Sequence, residues 1–281
     1  MSNVFDELLK FKNQGISAVL VTVVEKTGDG PVEVGKKMVV SEYDVAYGTV
    51  GGGALEYNAR EHCKEVLKTR KSMMEKYLLS EGKVIKDVKT LPMICGGVVT
   101  LFYEYIGFEQ NIYVFGGGHV GQALTHILKT LNYHVTVIDE RLEVYERFEK
   151  ADKKYHSVFA DFIEKESIKE GSFVVVCTPS HKHDYNVINK ILELDLKPKY
   201  IGMLCSPKKL KDYIDSTKEN FGTDINLKNF YSPIGLDLGG GSPEEIAISI
   251  TAEIMAIAND KKNHSHMREI QNNITYHYWK D

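Results

Sequence analysis

Apolar positions along the first hundred residues change period several times. Phe5, Leu8 and Leu9 recur at helical spacing, with Lys12 in register and Gly15 as a stop, which predicts a short helix over residues 3–14. The β-branched run AVLVTVVE, residues 18–25, reads as a strand and is followed by the turn Gly28-Asp29-Gly30-Pro31. Two more strands are expected at 37–41 and 45–50, the second running into Gly51-Gly52-Gly53. ALEYNAREHCKEVLKT, residues 54–69, has the stripe of an amphipathic helix. Residues 72–79 and 98–106 read as strands on either side of the stretch PMICGGVV. Strands and helices mix here without strict alternation, so this half is α+β.

From Asn111 the rhythm becomes regular. Expected strands at NIYVFGG, HVTVIDE, HSVFA, SFVVVCTP and YIGMLC alternate with expected helices at HVGQALTHILKTL, LEVYERFEKA, DFIEKESIKE, YNVINKILEL and PKKLKDYIDST. Such alternation predicts a doubly wound parallel sheet. The fold class is therefore α/β, a C-terminal Rossmann-like sheet preceded by a smaller α+β domain. The expected division is 1–107 for the first domain, 108–258 for the second and 259–281 for a polar tail.

Composition narrows the function. With 43% hydrophobic and 26% charged residues the chain has the balance of a soluble globular protein. Lys and Arg number 35 against 39 Asp and Glu, so no basic excess points to nucleic acid. The N-terminus lacks a signal-peptide core, and no apolar run is long enough to span a bilayer, which sets a cytoplasmic expectation. The cysteines at 63, 95, 177 and 205 stand too far apart for a CxxC motif and are expected as free thiols, with no metal site.

Several glycine-rich stretches carry candidate chemistry. Gly116-Gly117-Gly118-His119-Val120-Gly121 fits GxGxxG after a strand and at a helix start. Gly116 suits the tight turn, Gly118 the approach of a phosphate, and Gly121 the packing of helix on strand. Asp139 at the tip of the next strand is placed to accept from a ribose hydroxyl, while Arg141 would suit a 2′-phosphate. GTVGGGALE offers a second junction, in which Gly51, Gly52 and Gly53 either present amides to an anion or simply turn the chain, and Glu56 sits in the first helical turn. Cys95-Gly96-Gly97 leaves a thiol beside two amides, although a lone cysteine is more often an inert core residue. His181, His183 and Asp184 follow another strand, with Asp184 read as a helix cap and His181 as an open choice between surface residue and acid–base group. Ser242, Pro243 and Glu245 form a capping-box pattern.

In order, LVTVVEKTGDGP, GTVGGGALE, MICGG, FGGGHVGQAL with VTVIDER, TPSHKHD, YIGML and SPIGLDLGGGSPEEIAISITAEI resemble the xanthine dehydrogenase accessory family, XdhC/CoxI. The resemblance covers roughly residues 5–258. It implies a maturation factor that binds molybdenum cofactor (molybdopterin), assists its sulfuration and delivers it to an apo molybdenum hydroxylase, with a cysteine desulfurase as a further partner and a homodimer as the assembly. Cys95 then becomes the expected sulfur contact and Glu56 its orienting acid. Gly51–Gly53, Gly96, Gly97, Gly116, Gly118, His119, Gly121, Asp139 and His181 become the expected cofactor contacts. Two positions depart from the family pattern: Val32 stands where an arginine is usual, with Lys36 or Lys37 as substitutes, and Cys205-Ser206-Pro207-Lys208 replaces a Gly-Ser-Arg. The alternative reading is an NAD(P)-dependent oxidoreductase with His181 or His183 as acid–base.

Overall fold

The computed structural model describes residues 3–28, 32–80, 88–93, 97–108, 110–221 and 227–261. The chain divides into two units, Met1–Phe108 and Glu109–Asp281.

The first unit opens with α1 (Val4–Asn13), whose capping box joins Asn3 and Asp6. Its strands are β1 (Ala18–Thr27), β2 (Lys37–Ser41), β3 (Ala46–Gly48), β4 (Met73–Leu79), β5 (Lys89–Leu91) and β6 (Val98–Ile106), with α2 (Gly53–Thr69) between β3 and β4. Among the described residues they form one sheet in the order β3-β2-β1-β6-β4-β5, antiparallel except for β4 beside β5. The period of two in β1 sorts the core. Val19, Val21 and Val23 pack with Leu55, Ala59 and Val66 of α2, whereas Ala18 and Leu20 turn to Phe11 of α1. Thr27 and Leu78 both pair with Val98, and Met38 pairs with Gly48. Gly28, Gly97 and the Gly51–Gly53 junction therefore leave the sheet at one end.

The second unit comprises β7 (Asn111–Phe115), α3 (His119–Thr130), β8 (His134–Asp139), α4 (Leu142–Arg147), β9 (Lys153–His156), α5 (Phe159–Glu166), β10 (Phe173–Val176), α6 (His181–Glu193), β11 (Tyr200–Met203), α7 (Pro207–Phe221), β12 (Phe230–Tyr231) and α8 (Pro243–Ala258). Its strands are all parallel, in the order β12-β11-β10-β7-β8-β9. Counted within the unit this is 3-2-1-4-5-6 read from the far edge, the doubly wound Rossmann order. Helices α3 and α8 cover one face and α5 and α6 the other. Because both faces are covered, β8, β10 and β11 are buried at every position.

Three expectations shift. HSVFA is not a strand: β9 lies earlier, at Lys153–His156, and Phe159 already belongs to α5. Phe159, Phe162 and Ile163 fall at i, i+3 and i+4 and are all buried, so helical packing claims them. The helix at LEVYERFEKA stops at Arg147, because Phe148 turns extended and inserts into the core. β5 and β12 are additional short strands. No helix among the described residues is long and apolar enough to cross a membrane. The expected tail lies outside the described residues beyond Lys261.

Candidate functional site

The parallel sheet reverses its winding between β7 and β10, where α/β folds leave a crevice at the strand ends. GxGxxG opens there, and its three glycines have different steric reasons. Gly116 has φ +112°, and a Cβ on it would stand 2.3 Å from the carbonyl oxygen of Cys177, at the end of the neighbouring strand. A Cβ on Gly121 would stand 2.0 Å from the Gly116 oxygen, so the helix can cross this close only without a side chain. Gly118 differs: its missing Cβ would meet only Arg141 Nη2, at 3.9 Å. Gly118 caps α3 without a side-chain hydrogen bond, so no capping side chain takes the first-turn amides. His119, the first helical residue, is exposed.

Asp139 is only 2% exposed and lies beside this loop. Its Oδ2 accepts from the Gly117 amide at 2.7 Å and from Arg141 Nη2 at 2.8 Å, and its Oδ1 from the amide and Nε of Arg141, both at 2.9 Å. Burial pushes its carboxyl up, but the Arg141 side chain and the two amides outweigh it and hold the group below the usual range. The expected ribose acceptor is thus engaged within the chain. Gln122 Nε2 donates to the Gly117 oxygen at 3.2 Å. A cavity of about 220 Å³, lined by Gln122, His126, Arg147, Phe148, Glu149 and Lys150, opens on that flank of α3.

The same C-terminal side of the sheet receives the residues after β10. Cys177 Sγ donates to the Gly116 oxygen at 3.3 Å, and burial pushes this thiol up to about 12, assisted by Asp184 and Asp139. Ser180, not Asp184, caps α6 by accepting from the His183 amide. Asp184 instead accepts from the Thr178 amide and hydroxyl at 3.0 and 2.6 Å, fastening the turn, and burial raises its carboxyl. His181 is exposed, edge-on to Tyr185. His183 Nδ1 lies 3.3 Å from Glu140 Oε2, within ion-pair reach but poorly aligned for a hydrogen bond. Gly116, Gly118, His119, Gly121, Asp139 and His181 therefore all lie at or beyond the C-terminal ends of the strands of one sheet.

In the first unit, Glu56 reaches back across the other glycine junction. Its Oε1 accepts from the Thr49 hydroxyl, from the Val50 amide at 3.1 Å and from the Gly52 amide at 2.9 Å. Burial pushes this carboxyl up, but the hydrogen bonds of Thr49, Gly52, Val50 and Gly51 together hold it below the usual range. Open space faces Gly52 and Gly53, while a Cβ on Gly51 would strike Val32 Cγ2 at 2.6 Å. Val32 is buried in the core. Of the lysines expected to replace the family's arginine, Lys37 donates to the Thr22 hydroxyl and Lys36 pairs with Glu33. Gly97 packs against Gly28 at the same end, where a Cβ on Gly28 would stand 3.0 Å from its Cα. Cys95 and Gly96 lie outside the described residues. Cys63, on α2, is buried and pushed up to about 12 chiefly by desolvation. Among the described residues no group of three or more His, Cys, Asp or Glu is arranged to hold a metal ion.

Sequence reasoning missed that at both junctions a carboxylate of the chain itself accepts from loop amides. The third glycine run does the same, with Glu245 accepting from Gly241 and Ser242 in the capping box. It also missed Glu253, on the buried face of α8, which accepts from the Tyr200 hydroxyl and the Gly235 amide and fixes the start of that loop. The only hint for Glu253 was an acid inside an otherwise apolar helix.

Fold and junction together define a Rossmann-type domain preceded by a mainly antiparallel sheet domain. The chain belongs to the XdhC/CoxI family: the XdhC Rossmann domain model matches residues 112–254, and the XdhC and CoxI family model matches 12–78. It is 25% identical over 262 residues to the uncharacterized protein YqeB of Escherichia coli K12, covering 92% of this chain and 47% of that protein. It is 28% identical over 157 residues to a probable xanthine dehydrogenase subunit of Bacillus subtilis 168, covering 55% and 45%. The chain thus spans about half the length of these curated relatives. Among solved structures, a xanthine dehydrogenase from Bacillus halodurans aligns over 94% of this chain and 98% of its own, with 19% identity and a TM-score of 0.48. The tRNA N6-threonylcarbamoyladenosine dehydratase of E. coli aligns over 54% and 87%, with 14% identity and a TM-score of 0.38.

Proposed function

We propose that this protein is an accessory factor for a xanthine dehydrogenase-type molybdenum hydroxylase, holding molybdenum cofactor while it is sulfurated and inserted. Family membership across both units is the observation that supports this reading most. The name of the B. subtilis relative points to the same class of partner.

The residues suit the anionic end of such a cofactor. Its phosphate matches the start of α3, where Gly118 leaves space and the helix dipole favours negative charge. Gly118, His119 and Val120 would offer amides, and Arg141 would supply positive charge beside them. At the other junction an anion would have to displace Glu56 from the Val50 and Gly52 amides. The bound cofactor would bring a dithiolene-held metal able to carry a sulfido ligand. For that soft end two of the three described thiols are poor candidates, since Cys63 and Cys177 are both held protonated by burial, while the third, Cys205, shares a hydrogen bond with the Ser232 hydroxyl. Cys95 is the thiol assigned to it, two positions before Gly97 in the sequence.

The test is to produce the protein with and without a source of cofactor and measure bound molybdenum and pterin, in the wild type and in Cys95→Ala. The wild type is expected to retain both and to activate a co-produced apo-hydroxylase, and Cys95→Ala to activate it poorly. Equal occupancy and activation would remove Cys95 from the mechanism. Absence of cofactor from the wild type, with the hydroxylase maturing unaided, would remove the whole reading. The oxidoreductase alternative receives less support, because Asp139 is clamped by Arg141 and His183 lies against Glu140.

A further inference from the structure

An ionised carboxylate has about four lone-pair positions. At Asp139 four donors fill them: the Gly117 and Arg141 amides, Arg141 Nε and Arg141 Nη2, at 2.7 to 2.9 Å. A ribose hydroxyl that reads such an acid must donate to it, and here a donor would first have to be expelled. The Arg141 fork is the removable one, since its side chain is 37% exposed and the amides belong to the turn. Its outer nitrogen is also the nearest atom to the open side of Gly118.

We propose that Arg141 is a specificity-determining residue that withdraws Asp139 from ribose recognition, so that the Rossmann junction selects ligands by phosphate and is indifferent to an adjacent diol. Asp139 then positions the glycine loop instead of touching ligand, and Arg141 presents charge to the phosphate bound at α3. The bidentate geometry supports this assignment, because a planar guanidinium meets the two carboxylate oxygens with parallel bonds from two different nitrogens, Nε and Nη2, whereas a lysine has only one nitrogen to share between them. The consequence is a junction suited to phosphate esters without a free ribose, and poorly suited to telling NAD from its deoxy analogues. This inference rests on the accessory-factor reading only in taking the start of α3 as an anion site. Hydroxylase activation can fail while it holds.

The experiment compares ADP with 2′-deoxy-ADP by calorimetry on the full chain, for the wild type, Arg141→Ala and Arg141→Lys, each checked for folding by circular dichroism. The wild type is expected to show no preference between the two nucleotides. Arg141→Ala, with Asp139 released, is expected to favour ADP by about tenfold, the usual weight of a hydroxyl donating to a carboxylate. Arg141→Lys, which keeps the charge on one nitrogen but loses the two-nitrogen fork, is expected to fall between. A tenfold preference for ADP in the wild type would overturn the proposal. So would folded Arg141→Ala and Arg141→Lys proteins with no preference. Loss of hydroxylase activation with the nucleotide preferences as expected would instead count only against the accessory role.

Discussion

The two glycine-rich junctions, Gly51–Gly53 before α2 and Gly116–Gly121 before α3, look alike in sequence and are held in different ways. At the first, one oxygen of a half-buried Glu56 from the helix's own first turn gathers the Thr49 hydroxyl and two amides. At the second, a carboxylate from the neighbouring strand takes a single loop amide and is itself gripped by an arginine. Rotating Glu56 away frees several donors and returns a carboxylate to water, so a competing anion can do it at little cost. Moving Asp139 would leave a buried charge and a guanidinium apart, which is expensive. The first carboxylate is a plug and the second a rivet. Anion binding at the first junction is thus a competition, and at the second it uses amides that the rivet leaves alone.

The sharpest way to break this contrast lies within the second junction. Gly121→Ala puts a methyl 2.0 Å from a backbone oxygen that no rotamer change can move. It should cost about 3 kcal/mol or more, read as a lowered urea midpoint for the second unit. Gly118→Ala has φ −67° and open space, so it should change stability by less than about 0.5 kcal/mol. It should nevertheless weaken phosphate binding, since its methyl points into the space the ligand needs. Equal stability losses in the two variants would show that the glycines serve one common turn, not separate roles.

Removing the carboxylates comes next in size. Asp139→Asn leaves Arg141 without its partner charge and should cost about 2 kcal/mol, below the range for fully buried pairs because the arginine is partly exposed. Glu56→Gln retains an accepting oxygen and should cost about 0.5–1 kcal/mol. Urea unfolding of the two variants side by side checks the order. A larger loss at Glu56 would reverse the assignment of plug and rivet.

That assignment was beyond the reach of the sequence, and the reason is physical. The parallel sheet was legible because strands covered on both faces become unbroken apolar runs, as in FVVV and YIGM. In the antiparallel half, β1 was legible as the β-branched run AVLVTVVE, apolar on both faces because Val19, Val21 and Val23 meet one layer of the core and Ala18 and Leu20 the other. β9 escaped because KKYH is a polar edge segment without an apolar run, placed by pairing with Thr136–Asp139 and by Tyr155 against Phe162. The glycine spacing located both junctions and the acid at the tip of β8. Which donors that acid accepts depends on the rotamer of Arg141 and the approach of Gly117, neither of which leaves a periodic trace. The spacing of Asp139 and Arg141 suits either a 2′-phosphate reader or an internal clamp, and only side-chain geometry separates them.

The smallest effect concerns pH and isolates the two carboxylates by sign. Glu56 and Asp139 are both held below their unfolded values. Each therefore contributes stability that is complete above the unfolded carboxylate range, near pH ~4, and lost as pH falls through the lower folded value. Asp184 runs the other way: burial raises its carboxyl, so folding prefers the protonated form and its unfavourable contribution shrinks as pH drops toward the same range. Unfolding free energy measured from pH 7 down to 3 should fall for the wild type. It should fall less steeply for Glu56→Gln and less steeply still for Asp139→Asn, whose carboxylate carries the arginine. Asp184→Asn should steepen the fall instead, because the opposing contribution is gone. A wild-type slope that survives in both Glu56→Gln and Asp139→Asn would mean that neither glycine junction depends on an ionised acid, and the distinction between plug and rivet would lose its electrostatic basis.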